Sequence, residues 1–276
     1  MVNQTKRAVP TVPPFAMPTW IRPLVGAGDD GVVLAGGWTN AQQFDVVMRA
    51  ADGQHMIFRM SEDAIIQQAD DRNKAAAVLE NLYKPRADFA GLEMVKPHVM
   101  GVINTTPDSF SDGGAHLAPA NAIASGLAMS HAGASIIDIG GESTRPGAEA
   151  ITRNQELARV LPPISGLSRQ NLLISIDTRH AEVMTRACAV GAAVINDVEG
   201  LRRDGAVDAA AASDAPVIIM HMQGQPETMQ DEPHYDFAPI DIYQFLEERI
   251  DAAMAAGIAK SQIAIDPGFG FGKMVA

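Results

Sequence analysis

From residue 98 onward the chain repeats one pattern six times: a short run rich in Val, Ile and Met, a polar or glycine-bearing end, then an amphipathic stretch. The runs span 98–104, 135–141, 172–178, 194–198, 217–222 and 263–268. Near-continuous apolar runs of this length suit parallel strands buried on both faces. Helical stretches between them provide the crossovers that parallel pairing demands. The clearest covers 241–256, where Ile242, Phe245, Leu246, Ile250, Ala253 and Met254 share one face. Asp241 suits its N-cap and Gly257 its stop.

Repeated β-α units leave a choice between a doubly wound sheet and a closed barrel. Every run ends in residues that carry chemistry: Asn104, Gly140-Gly141-Glu142, Asp177-Thr178, Asn196-Asp197, His221 and Asp266. A doubly wound sheet concentrates its chemistry at one switch point, whereas a barrel gathers all strand ends at one mouth. Six decorated ends favour the barrel. A (β/α)8 TIM barrel needs eight strands, and six are counted between 98 and 276. The expected fold is therefore α/β, an incomplete TIM barrel with six of eight βα units. Barrels of this class run to roughly 250 residues, so one starting near 97 is expected to continue for about 70 more. A six-stranded chain by itself is expected to be insoluble or essentially inactive, because its outer strands are open edges of buried character.

Residues 1–95 read differently and form a predicted small α+β extension, partly disordered at 1–18, ahead of a barrel domain at 96–276. The runs 44–50 and 55–60 flank Asp52-Gly53, a hairpin signal. Residues 31–36 add a predicted strand, and 61–82 is helix-compatible, capped by Ser61 and stopped by Pro85. Residues 1–18 lack the apolar centre of a signal peptide. No apolar run approaches the roughly 20 residues of a membrane span.

A net charge of −12 argues against nucleic acid or an anionic membrane as the main partner. It also means that an anionic substrate has to be held by local cations or a metal. The one cysteine, Cys188, permits no intrachain disulfide, fits a reducing cytosolic setting and lies in an apolar stretch as a core residue. No second His or Cys stands at zinc-ligand spacing from His221, which reads as structural.

The first run leads into Asn104-Thr-Thr-Pro-Asp108-Ser109-Phe110-Ser-Asp-Gly-Gly, a long polar loop where a barrel has its mouth. The second leads into Asp138-Ile-Gly-Gly-Glu142-Ser-Thr144-Arg145-Pro-Gly, where glycines admit a ligand to backbone amides and Arg145 could grip a phosphate. A single strand-end aspartate is ordinarily a helix cap. Asp177, Asn196 and Asp266 around one mouth, however, are buried acceptors that require a donor-rich ligand. The amino and N–H edge of a pterin ring is such a ligand. Methionines around His221 suit the face of a flat ring.

The segments NTTPDSFSDGG, DIGGESTRPGAE, ISIDT, VINDV, MHMQGQPETMQ and IDPGFGFGK occur in the order seen in the dihydropteroate synthase family, and the chain resembles that family over about 97–273. The resemblance implies a cytoplasmic transferase of folate biosynthesis, a sulfonamide target. Such an enzyme joins 7,8-dihydropterin-6-ylmethyl diphosphate to 4-aminobenzoate and releases diphosphate. It further implies that Asn104 coordinates Mg²⁺ with the diphosphate, and that Asp177, Asn196 and Asp266 bind the pterin edge. Thr144 and Arg145 would contact diphosphate or shape the second loop. Asp108, Ser109 and Phe110 would lie in the closing loop, and Phe271 against the aromatic substrates. Asp108, Arg145 and Asp177 are the residues expected to carry catalysis. The family's later motifs, a lysine after strand seven and Arg-x-His at strand eight, have no counterpart here. The full-length form is expected to be a homodimer. Competing readings are a pterin-binding methyltransferase domain and a non-catalytic pterin-binding paralogue. A Schiff-base aldolase using Lys273 is disfavoured, because that lysine follows a glycine-rich loop rather than sitting in a desolvated strand.

Overall fold

The computed structural model describes residues 15, 19–25, 31–50, 53–105, 117–142, 151–225 and 228–274. The chain divides into two compact units, one of residues 1–86 with 94–96, the other of 87–93 with 97–276.

In the first unit β1 (Trp20–Val25), β2 (Val32–Val33) and β4 (His55–Met60) all pair antiparallel with β3 (Asn40–Arg49). Phe44, Val46 and Met60 project into a core closed by Ile65 of α1 (Glu62–Gln68) and by Ala75 and Leu79 of α2 (Arg72–Tyr83). Asp45 is buried in β3, and Arg22 and Arg59 from the flanking strands hold its carboxyl below the usual range. The single helix expected over 61–82 is two helices. Ser61 caps the first by accepting from the Ala64 N–H, as predicted. The chain then leaves helical geometry at Ala69, and Asp71 caps the second by accepting from the Lys74 N–H. An Asx cap inside a helical pattern competes with the backbone and permits such a restart. β1 was not anticipated. Of the predicted turn, Asp52 lies outside the described residues.

The second unit is the repeat. Six parallel strands, β5 (Met100–Asn104), β6 (Ile136–Gly140), β7 (Ile174–Asp177), β8 (Val194–Asp197), β9 (Val217–Met220) and β10 (Ile263–Asp266), lie side by side in chain order. The crossovers carry α3 (Leu117–His131), α4 (Arg153–Ser168), α5 (Ala181–Ala189), α6 (Ala206–Ser213) and α7 (Ala238–Ala255). Six consecutive βα strands of a (β/α)8 barrel give this order. Among the described residues the sheet is not closed: β5 and β10 have one neighbour each.

One sequence reading is corrected in detail: the inner strands are buried on both faces, as expected, but apart from Asp197 their polar residues all fall on one face. Ile103, Ile137, Ile139, Ile174, Ile176, Ile195, Val217 and Ile219 face the helices and build the main core. The intervening positions carry Asn104, Asp138, Gly140, Ser175, Asp177, Asn196 and Asp266. Register makes this one face, since Asn104 pairs with Gly140, Gly140 with Asp177 and Asp177 with Asn196. Val102 on β5 and Ile265 on β10 stay about half exposed, at 52% and 53%. A second correction concerns α7, which starts at Ala238 with Phe237 at the cap. Pro239 suits the first turn, and Asp241, predicted as the cap, instead accepts from the Phe237 N–H at 3.1 Å. Met254, placed by periodicity on the apolar face, is 44% exposed. Cys188 is partly buried in α5 against the core, where burial pushes its thiol up. Among the described residues no helix is long and apolar enough to cross a membrane.

Candidate functional site

Parallel pairing sets the C-terminal residues of neighbouring strands side by side with their side chains on one face. Gly140 is the low point of the resulting row. A side chain there would meet Asp177 Oδ2 at 3.3 Å and Asn104 Oδ1 at 3.6 Å, so those two side chains converge over the glycine. Asn196 stands next to Asp177 in register, and its Nδ2 donates to Asp138 Oδ2 at 3.0 Å. Asp266 ends β10 on the same face, and its Oδ1 accepts from the Gly268 N–H at 2.7 Å. Asn104, Asp177, Asn196 and Asp266 thus share one face and one strand-end edge, as the sequence predicts, and among the described residues they line an open trough. None of these four lines the depressions of about 420 Å³ found among the described residues, one walled by Arg179, His180 and Arg203 and another by His221, Tyr235 and Phe245.

The trough is electrostatically loaded. The Asp177 carboxyl titrates well above the usual carboxylate range because burial disfavours its charge and Asp138, Asp197, Glu156 and Glu142 crowd it with negative charge. Burial likewise raises Asp138, against the pull of Ser175 and Asn196. Asp197 faces away. It accepts from the Glu199 and Leu201 N–H groups, and burial raises it to about 6. A surface this rich in acceptors stabilises a ligand that brings N–H donors or partial positive charge.

Val198, Met220, Met222 and Met229 form a small apolar cluster, with Phe271 against it. Phe271 sits in a loop shaped by close backbone approach. Gly268 has φ +68° and lies so near the His221 carbonyl that a Cβ would fall 2.1 Å from its oxygen. Lys273 Nζ donates to the Gly268 and Phe271 carbonyls, both at 2.8 Å, and lies 3.1 Å from His221 Nδ1. Burial lowers this lysine to about 8. His221 is itself buried, edge-on to Phe245, and lowered to about 4 by burial and by Lys273. Both residues are thus parts of the wall.

Three side chains that organise the mouth escape a motif reading. Asp138 is one. Arg179 is another: buried, it donates to Glu142 at 3.0 Å and Glu199 at 2.7 Å, tying together the ends of β6, β7 and β8. The third is Glu156, which accepts from the Thr178 hydroxyl at 2.6 Å and lies 2.8 Å from His180 Nδ1. Arg203 can only donate, and it meets His180 Nε2 at 3.0 Å, so the His180 proton sits on Nδ1 toward Glu156. The available signal was arithmetic: acids at or just past four of the six strand ends call for a buried cation among them.

Of the other sequence-predicted residues, Asp108, Ser109, Phe110, Thr144 and Arg145 lie outside the described residues. Among the described residues no three or more His, Cys, Asp or Glu side chains are grouped to hold a metal ion. The exposed amide oxygen of Asn104 is a hard ligand suited to a cation that keeps most of its shell from water and phosphate.

Comparison with known proteins gives the same reading. The family described as pterin binding enzyme matches residues 100–276. Dihydropteroate synthase of Escherichia coli K12 is 46% identical over 188 residues, covering 68% of this chain and 67% of that protein. The Haemophilus influenzae dihydropteroate synthase is 44% identical over 185 residues, covering 67% of each. The chain thus spans about two thirds of these curated relatives. Among solved structures, Xanthomonas albilineans dihydropteroate synthase with 4-aminobenzoic acid superposes with TM-score 0.63 at 52% identity, covering 69% of this chain and 68% of that one. Yersinia pestis dihydropteroate synthase with a sulfonamide drug complex gives TM-score 0.61 at 48% identity, covering 65% and 66%. With its parallel strands, its acceptor-lined trough and these relatives taken together, the chain belongs to the pterin binding enzyme family, among the dihydropteroate synthases.

Proposed function

We propose that the protein to which these six strands belong condenses 7,8-dihydropterin-6-ylmethyl diphosphate with 4-aminobenzoate, giving 7,8-dihydropteroate and diphosphate, and that residues 96–276 carry this work. The observation that supports it best is the row Asn104, Asp177 and Asn196 over Gly140, with Asp266 two strands further along. Its acceptors match the amino and ring N–H donors of a pterin. Phe271 and the methionines offer apolar surface to the flat rings.

In the reaction the aminobenzoate nitrogen attacks the pterin methylene, the C–O bond to diphosphate breaks, and the amine loses a proton. Positive charge grows on the methylene, and the carboxylates of Asp177 and Asp266 favour it. Asn104 would hold Mg²⁺ with the diphosphate, and the ion supplies charge neutralisation to the leaving group. Thr144 and Arg145 are assigned to the diphosphate. Asp108, Ser109 and Phe110 are assigned to the loop that excludes water and helps form the aminobenzoate pocket. No enzyme nucleophile is needed. Competition by sulfonamides for the aminobenzoate pocket, a cytoplasmic location and a homodimeric assembly belong to the same reading and rest on the family resemblance.

Product analysis tests it. With both substrates and Mg²⁺ the protein is expected to release dihydropteroate and diphosphate in equal amounts. Consumption of methyltetrahydrofolate with no use of 4-aminobenzoate would establish the methyltransferase reading instead.

A further inference from the structure

Asp138 is 3% exposed in the middle of the sheet, and no motif role accounts for it. Its Oδ2 accepts from Asn196 Nδ2 at 3.0 Å. Its Oδ1 has no hydrogen-bond partner among the described residues, and the neighbouring Ser175 hydroxyl favours the ionised form without completing a bond. A half-satisfied carboxyl is a poor way to fill a sheet interior. The contact to Asn196 gives it a purpose. An asparagine amide can present either its oxygen or its NH₂, and the choice falls to its neighbours. With Asp138 Oδ2 as acceptor, the NH₂ turns inward. The reverse orientation would set two oxygens against each other.

We infer that Asp138 is a positioning residue that locks the Asn196 amide with its carbonyl toward the ligand, so that Asn196 and Asp177 together present acceptors only and select ring edges carrying adjacent N–H donors. The inference rests on the pterin reading and deepens it. Asp138 sets the hydrogen-bond polarity of the site, and with it the discrimination between a 2-amino ring edge and a 2-oxo one.

Two probes read this out by titration against the full chain: a 7,8-dihydropterin and the analogue with 2-oxo in place of 2-amino. Wild-type protein is expected to prefer the pterin by about tenfold or more, because a site built of acceptors rejects an edge that lacks the donor. Asp138→Leu frees the amide to turn and is expected to remove most of that preference. In an Asn196→Ala background the same change is expected to alter pterin affinity by less than about twofold, since its effect is routed through the amide. Asp138→Asn keeps an oxygen for the NH₂ and is expected to retain the preference. It also serves as the readout should Asp138→Leu not fold. Equal weakening of both probes by Asp138→Leu, an undiminished effect in the Asn196→Ala background, or a folded Asp138→Asn protein without preference overturns the inference and leaves the pterin reading standing. A wild-type chain that binds neither probe overturns both.

Discussion

Asp177 exposes a conflict between stability and binding. Its raised carboxyl means that the folded chain holds that proton more tightly than the unfolded chain, whose value lies near 3.8. The folded state is therefore penalised as pH rises from about 4 through the raised value, and the penalty is complete above it. Asp177→Asn removes the charge. The variant is expected to melt about 2–4 °C higher near pH 7, for roughly 1 kcal/mol of relieved repulsion, while binding pterin more weakly. Near pH 2.5, well below the unfolded value, where both states are protonated, the gain is expected to vanish. Calorimetry at the two pH values checks the sign, and a variant less stable at pH 7 would contradict it. The sequence revealed Asp177, Asn196, Asp266 and Asn104, because each ends an apolar run and such ends meet at one edge of a parallel sheet. Asp138 was not legible: it lies two residues inside its strand end, and only the pairing of β6 toward β8 shows that it reaches Asn196.

At the level of elements, buried ion pairs add to local turn hydrogen bonds in holding the strand-end loops. Arg179 binds Glu142 and Glu199 together with side chains only 7–11% exposed. Arg179→Met takes the pair from the buried Glu142 carboxylate and leaves Glu199 with Arg203 alone, and it is expected to cost about 3–5 kcal/mol in denaturant unfolding. A loss under about 1 kcal/mol, the range of an exposed pair, would show that water already screens the site. The strands themselves were readable to within a residue or two, since Val and Ile runs ending in Gly, Asp or Asn leave little choice. Their two-faced character was not. Ile at alternate positions looks continuous when the intervening residues are Val, Ala or Met, and the helix-facing side separates only once register is known. The split between α1 and α2 was hidden for a different reason. Ala69, Asp70 and Asp71 are all tolerated in helices, and the break is made by Asp71 capping α2 and by the Phe15–Ala69 bridge.

On the scale of the molecule, the sheet edges and the trough make separate claims. Ile265 on β10 is 53% exposed, an apolar side chain on an edge strand with one neighbour. Such edges template association. Ile265→Lys, which faces away from the trough, is expected to reduce concentration-dependent light scattering by about half or more without weakening pterin binding. Unchanged scattering would place the sticky surface elsewhere. The trough carries the central claim, that side chains from four strands act as one pterin site. Calorimetric titration of the chain with 7,8-dihydropterin tests it most directly. The account predicts one saturable site, weakened about tenfold or more by each of Asp177→Ala, Asn196→Ala and Asp266→Ala, because each change leaves a ligand donor without its acceptor. Saturable binding that all three variants retain at wild-type affinity, or no binding by the wild-type chain, would contradict it.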